Sequence, residues 1–198
     1  MSRSSYHHGD LAPALEAAAM ALLAEQPAGS ISLREVARRA GVSHNAPYHH
    51  FGDRTQLLKV LAERSLAELV AAERAVGARD DLSPLARARE FATVYLDFAL
   101  DRPHAFAAIY DPTICIPGAP TATMAPLIDE IEALLAQLAA DLRPELSGAA
   151  LAEFAAALWG LAHGLAELGR AGHLSAEASR AALTRAIDDL VAPKVTHG

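Results

Sequence analysis

The stretch SLREVARRAGVSHNAPYHHFGD, Ser32 to Asp53, starts and stops two short helices in quick succession, and it limits the fold more than any other part of the chain. Ser32 with Glu35 three residues on makes a capping box for LREVARRA. Gly41 closes that helix, because glycine takes the left-handed backbone of a C-terminal cap at little cost. Ser43 can cap the next run, HNAPYHHF, where Pro47 lies near the first turn and few backbone bonds are lost. Asp53 then caps a fourth, longer helix, RTQLLKVLAERSLAELVAAERAV. Two short helices joined by about three residues including glycine form a helix-turn-helix, with Ala37, Ala40 and Val42 supplying the small apolar contacts of a tight crossing. A generic corner of a helical bundle has the same outline. The third helix separates the two readings. It offers only Ala46, Phe51 and part of Tyr48 to a core, and its other side chains are short donors and acceptors suited to phosphates and base edges.

The rest of the chain also reads as helix. Apolar residues make up 52% of it but aromatics only 5%, so its apolar surface is mostly Ala, Leu and Val. Alanine and leucine are strong helix formers. No alternating Val/Ile/Thr-rich run offers a strand. The fold class is therefore all-α, with about nine helices. Asp10 caps a first helix through LAPALEAAAMALLAEQ, whose apolar face is Leu11, Leu15, Ala18, Ala19, Leu22 and Leu23; Pro27 and Gly29 end it. Later helices are expected over 84–101, 103–110, 122–141, 148–170 and 175–191. Ser83-Pro84 and Ser175 mark two of their starts. DPTICIPGAPTATMAP, 111–126, reads as a loop.

Charge divides the sequence. The formal net charge is −7, yet residues 1–60 hold six Lys/Arg against five Asp/Glu, with five of the nine histidines in the first fifty positions. A polyanion meets the local patch rather than the total. Cys115 is the only cysteine, which excludes an intramolecular disulfide and a cysteine-based zinc site. No basic residue close to it in sequence lowers its pKa, so it reads as a bystander. The adjacent pairs His7–His8 and His49–His50 cannot face one another on a helix, so no metal is expected. No nucleophile with base and orienting group, and no glycine-rich phosphate loop, appears; neither enzyme activity nor a cofactor is expected. The most apolar run, LSGAALAEFAAALWGLAHGLAEL, carries Glu153, His163 and Glu167, which argues against a membrane span. The N-terminus lacks a signal-peptide pattern, so a soluble cytoplasmic protein is expected.

ISLREVARRAGVSHNAPYHHFGDRTQLLKVL resembles the DNA-binding domain of the TetR/AcrR family of bacterial transcriptional regulators. The likeness rests on the REVARRAGVS turn, the YHHF end of the recognition helix and the acidic-basic pair before LL. YHHGDL upstream and LWGLAHGLAEL downstream resemble a subgroup named for a Trp-His-Gly (WHG) signature in its C-terminal domain. The resemblance implies a DNA-binding domain over 1–60, its turn and recognition helix at 32–51, and a helical effector-binding and dimerisation domain over 61–198. Ser43, Tyr48 and Arg54 would hold phosphates, with Arg34 and Pro47 also at the interface, while His44, Asn45 and His49 would face the groove. An amide such as Asn45 can bond adenine bidentately. Ser43 can also present a helix N-terminus to phosphate. Arg3, Tyr6, His7 and His8 form either an arm onto DNA or a plain terminal segment.

The C-terminal part leaves two readings open. Trp159 and His163 share a helix face, and so do Gly160 and Gly164 beside them. Either Trp159 packs in the core while His163 satisfies a buried carbonyl, or His163 lines a ligand cavity with Tyr95, Phe98, Phe106, Tyr110 and Trp159 as walls and His104 as a further polar contact. The stripe of Ala156, Gly160 and Gly164 suits a close approach of helices, either in the core or at a dimer seam built from helices 148–170 and 175–191. The expected protein is a homodimer that binds double-stranded operator DNA as a repressor and is released by a small, mostly apolar effector. The competing expectation is a helical ligand-binding or adaptor protein without DNA binding, with an enzyme on a helical bundle third.

Overall fold

The computed structural model describes residues 11–191 and, among them, holds nine α-helices, one short 3-10 turn and no strand. The helices are α1 Leu11–Glu25, α2 Leu33–Ala40, α3 Ala46–Phe51, α4 Arg54–Gly77, α5 Pro84–Asp101, α6 Pro103–Ile109, α7 Met124–Leu142, α8 Gly148–Arg170 and α9 Ala176–Val191. The 3-10 turn, Ala28–Ser30, lies where Pro27 and Gly29 were expected only to end the first helix. Asp10 as a cap, and Arg3, Tyr6, His7 and His8 as an arm, lie outside the described residues.

Most starts and stops obey the sequence. The capping box is complete: the Ser32 backbone N–H donates to Glu35 Oε2 at 2.9 Å, and the Glu35 N–H donates to Ser32 Oγ at 3.3 Å. Gly41 ends α2 with φ 68°, the left-handed backbone its lack of a Cβ permits. Asp53 Oδ1 accepts the Gln56 N–H, Ser83 Oγ that of Ala86 and Ser175 Oγ that of Ala178. The third helix departs from expectation. It begins at Ala46 with Asn45 as its N-cap, and no side chain caps it. Ser43 joins only through its carbonyl, which accepts the Ala46 N–H at 3.0 Å.

The chain forms two compact units, one running to Ser65 and taking in His104–Thr121, the other formed by Leu66–Pro103 and the chain from Ala122 on. In the first, α2 packs on α1 and α3. Its core includes Leu15, Ala19, Leu23, Ile31, Val36, Leu57, Leu61 and Phe106, all fully or nearly fully buried. Each such Leu, Ile, Val or Phe contributes about 1.5–3 kcal/mol by leaving water. In the second unit α5 packs against α7, α8 and α9. A Cβ at Gly169 would stand 2.8 Å from Leu100 Cδ2 and 2.9 Å from Ser179 Oγ, so this glycine sets the close approach of α8 to α5 and α9. Helix α8 alone among the described helices is long and apolar enough to cross a membrane, with mean hydropathy 1.3 over its most apolar window; only 17% of that window is buried.

Candidate nucleic-acid interface and sensor residues

The turn between α2 and α3, with α3 itself, sorts its side chains by burial. Ala46, Pro47 and Phe51 are buried, whereas Ser43, His44, Asn45, Tyr48 and His49 are exposed. Pro47 was expected at the interface; its ring instead faces inward and helps seat the helix. The two adjacent histidines part company. His50 turns toward α1, its Nε2 3.4 Å from Glu16 Oε1 and its ring edge-on to Phe51, while His49 points to solvent. Among the described residues the side chains of His44, Asn45 and His49 make no hydrogen bond, so their donors and acceptors are available to an incoming molecule. Since α3 starts at Ala46, Ser43 stands in the turn and not at a helix N-terminus, which removes the helix-dipole argument for it.

The arginines divide in the same way. Arg34 and Arg38 are exposed on α2 and bonded to nothing described. Arg39 is tied to Glu25 of α1 by two bonds of 2.7 and 2.6 Å. Arg54, expected to hold a phosphate, donates its Nε to the Ile31 carbonyl at 3.1 Å and its Nη2 to the Gly29 carbonyl. It clamps the α1–α2 connection onto the start of α4. Five N–H donors leave the guanidinium capacity beyond these two bonds. The 3-10 turn that supplies the Gly29 carbonyl was not legible in the sequence, and so neither was this clamp.

The residues expected to line a sensor cavity are divided between the two units. His104, Phe106 and Tyr110 fall in the first unit, where Phe106 is fully buried with its ring 5.0 Å from that of Tyr110. In the second unit, Tyr95 of α5 and His163 and Trp159 of α8 do meet. The Tyr95 hydroxyl lies 2.8 Å from His163 Nδ1, and the Trp159 indole N–H donates to the same hydroxyl at 3.4 Å. Trp159 is 47% exposed and so is not a core residue of this unit, while His163 meets the Tyr95 phenol. Partial burial lowers the His163 pKa, with the Glu167 charge opposing and Arg170 assisting. Phe98, half-buried, lies under the Arg102 guanidinium at 5.6 Å. Ala156, Gly160 and Gly164 are exposed and thus do not face this unit's core. Cys115 sits beside the Ala108 carbonyl at 3.7 Å, and burial, aided by Asp111 and Glu63, pushes its thiol up to about 11. Lys59 is a basic neighbour the linear sequence hid, yet its effect is the smallest of the four.

A helix-turn-helix with an exposed, hydrogen-bonding turn and third helix, followed by a separate helical unit, defines the class of two-part DNA-binding regulators. Comparison with known proteins gives the family. Residues 15–61 match the family described as bacterial regulatory proteins, tetR family, and 88–190 match the tetracyclin repressor-like C-terminal domain. The chain belongs to the TetR family and is a transcriptional regulator built from a DNA-binding helix-turn-helix and a C-terminal domain. Its fold is similar to that of a Rhodococcus protein of unknown function (28% identity, TM-score 0.80, covering 96% of this chain and 97% of that one). It is also similar to a tetR-family transcriptional regulator from Streptomyces coelicolor (22%, 0.71, 92% and 80%) and to the TetR family regulator PfmR from Thermus thermophilus (20%, 0.64, 90% and 96%). No curated protein matches the sequence.

Proposed function

We propose that this regulator is a homodimeric repressor that leaves a near-palindromic operator when a small, mostly apolar effector binds its C-terminal unit. The observation that carries the DNA reading is the row of exposed, unbonded side chains His44, Asn45 and His49 along the turn and α3. In this reading Asn45 reads a base edge, His44 and His49 accompany it in the major groove, and Ser43, Tyr48 and Arg34 meet phosphates. Arg54 contributes chiefly by fixing the backbone beneath them.

The dimer reading rests on the exposed apolar face of α8. Ala156, Trp159, Gly160, Gly164 and Leu168 all face away from the unit's own core, with Trp159 and Leu168 47% and 44% exposed. A patch of that kind asks for a cover, and small residues let the covering helix come close. A second copy of α8 and α9 forming a four-helix bundle supplies it, and the two-fold axis then presents two recognition segments to successive major grooves. The Trp159–His163–Gly164 run supports placing the chain in the WHG subgroup.

For the effector, Tyr95, Phe98, Trp159 and His163 are the residues of the second unit that join aromatic area to polar groups. An effector releases DNA only if it binds two conformations unequally, and a coupling of about 1–3 kcal/mol corresponds to a 5- to 150-fold loss of affinity. Helix α4 starts directly after the recognition helix and ends in the second unit's part of the chain, which makes it the element to carry that change. Such a protein works on chromosomal DNA, so we place it in the cytoplasm. Footprinting on DNA upstream of its own gene tests the reading. Two protected half-sites with centres about 34–36 Å apart are expected. Protection of one half-site alone, or of no specific site, would remove the operator model.

A further inference from the structure

Helix α4 turns a continuous apolar stripe inward: Leu61, Ala62, Ser65, Leu66, Leu69, Val70, Glu73 and Val76 are all buried. Two positions in that stripe are polar. Ser65 is satisfied, its hydroxyl donating to the Leu61 carbonyl at 2.8 Å. Glu73 is not. Its residue is 0% exposed, and neither carboxyl oxygen has a hydrogen-bond partner.

The surroundings sharpen the anomaly. Other carboxylates of the same unit have arginine partners: Glu68 with Arg102, Asp97 with Arg180, Glu130 with Arg74, Asp141 with Arg87 and Asp188 with Arg89. Arg74, next to Glu73 in sequence, is thus committed to Glu130 of α7, on the exposed side of α4. One turn on, a Cβ at Gly77 would lie 3.0 Å from Leu134 Cδ2, so α7 closes over this end of α4. A buried polar group without a partner is rare and costly, and a leucine at this place in the stripe would avoid the cost.

We propose that Glu73 is the polar anchor of a ligand site in the C-terminal unit, and that the ligand is a small organic cation, an apolar body carrying one protonated amine. An ammonium brings three N–H donors, enough to serve both orphaned oxygens, whereas a single hydroxyl donates once. The apolar residues flanking Glu73 on the stripe suit the rest of such a molecule. Burial holds the unpartnered carboxyl up to about 8, so the cation takes the place of its proton and the interior stays neutral overall. This inference rests on the effector reading above and gives that effector a chemical class.

The test uses matched pairs differing in charge, phenethylamine with phenethyl alcohol and tryptamine with tryptophol. Binding is measured by calorimetry to the full-length protein and to Glu73→Leu and Glu73→Gln, with the melting temperature of each variant recorded to establish folding. At neutral pH the wild type should bind each amine at least tenfold more tightly than its alcohol. Both variants, folded, should lose that preference. The inference is overturned if the wild type shows no preference for the amines, including no binding of either partner, or if the preference survives in Glu73→Leu. Operator release measured alongside separates the two claims. Amine binding through Glu73 without release of DNA leaves the anchor standing and removes the effector reading; release by either compound equally from wild type and Glu73→Leu does the reverse.

Discussion

Glu73 makes the stability of this protein depend on pH in a direction opposite to the usual acid lability. Its carboxyl is held at about 8 by burial, against 4.5 for the group in water. The folded state therefore binds the Glu73 proton across a window where the unfolded state has released it. Stability contributed by this group is full below pH 4.5 and declines as pH rises through the window toward 8. At about 1.4 kcal/mol per pH unit, partial titration at each end leaves a loss on the order of 2–3 kcal/mol between pH 5 and 7. His163, whose pKa burial lowers, acts with the other sign, since its neutral form is favoured in the folded state. Glu25, Glu35 and Glu130, lowered by hydrogen bonds to Arg39, Ser32 and Arg74, lose their contributions only in more acid solution. The variant Glu73→Gln isolates the effect, because it keeps the shape of the protonated acid and all other groups. Urea denaturation of both proteins at pH 5, 6, 7 and 8 is the assay. The wild type should lose stability relative to Glu73→Gln by about 2–3 kcal/mol from pH 5 to 7. A difference that stays constant with pH, or grows in favour of the wild type, would show that burial does not hold the Glu73 proton.

Gly169→Ala sets a new methyl 2.8 Å from Leu100 Cδ2 and 2.9 Å from Ser179 Oγ, and should destabilise the protein by about 1–3 kcal/mol in thermal denaturation. Arg54→Ala removes two hydrogen bonds to the Ile31 and Gly29 carbonyls and should lower both stability, by about 1–3 kcal/mol, and DNA affinity on all sequences. A variant that kept its stability while losing affinity would show Arg54 to be a phosphate contact alone. Gly160→Leu meets open space within the protomer, so it should leave the fold intact and shift the protein toward monomer in sedimentation. An unchanged dimer would move the seam elsewhere.

The helices were legible because their punctuation is local. The Ser32–Glu35 box, Gly41, Asp53, Ser83-Pro84 and Ser175 each act within one turn of themselves, and each does in the structure what its chemistry predicts. Helix α3 starts later than expected: Asn45 is its N-cap, and Ser43 stands two residues earlier, in the turn. Side-chain roles set by distant partners were not legible. Nothing near Arg54 in sequence points to carbonyls at 29 and 31, and nothing near Tyr95 points to His163. Trp159 misled for a different reason. A large aromatic on an apolar helix reads as core, but α8 is apolar on more than one face, and periodicity alone does not say which face its own unit covers. Glu73 resembles any other charge on a long helix, yet its spacing from Leu66, Leu69 and Val70 puts it on the buried stripe.

Whether the exposed turn and α3 read DNA sequence is decided by comparing wild type with Asn45→Ala on an operator and on its single-base variants across a range of salt. Asn45 is exposed, makes no side-chain bond within the described structure and does not cap α3 through its amide, so its removal should leave folding unchanged. The wild type should bind specifically and with a marked salt dependence. Asn45→Ala should lose roughly 1–3 kcal/mol of binding, relax selection at one base position in each half-site and leave the salt slope unaltered. An unaltered sequence preference in Asn45→Ala, or equal affinity of the wild type for operator and unrelated DNA, would contradict a base-reading role for this segment.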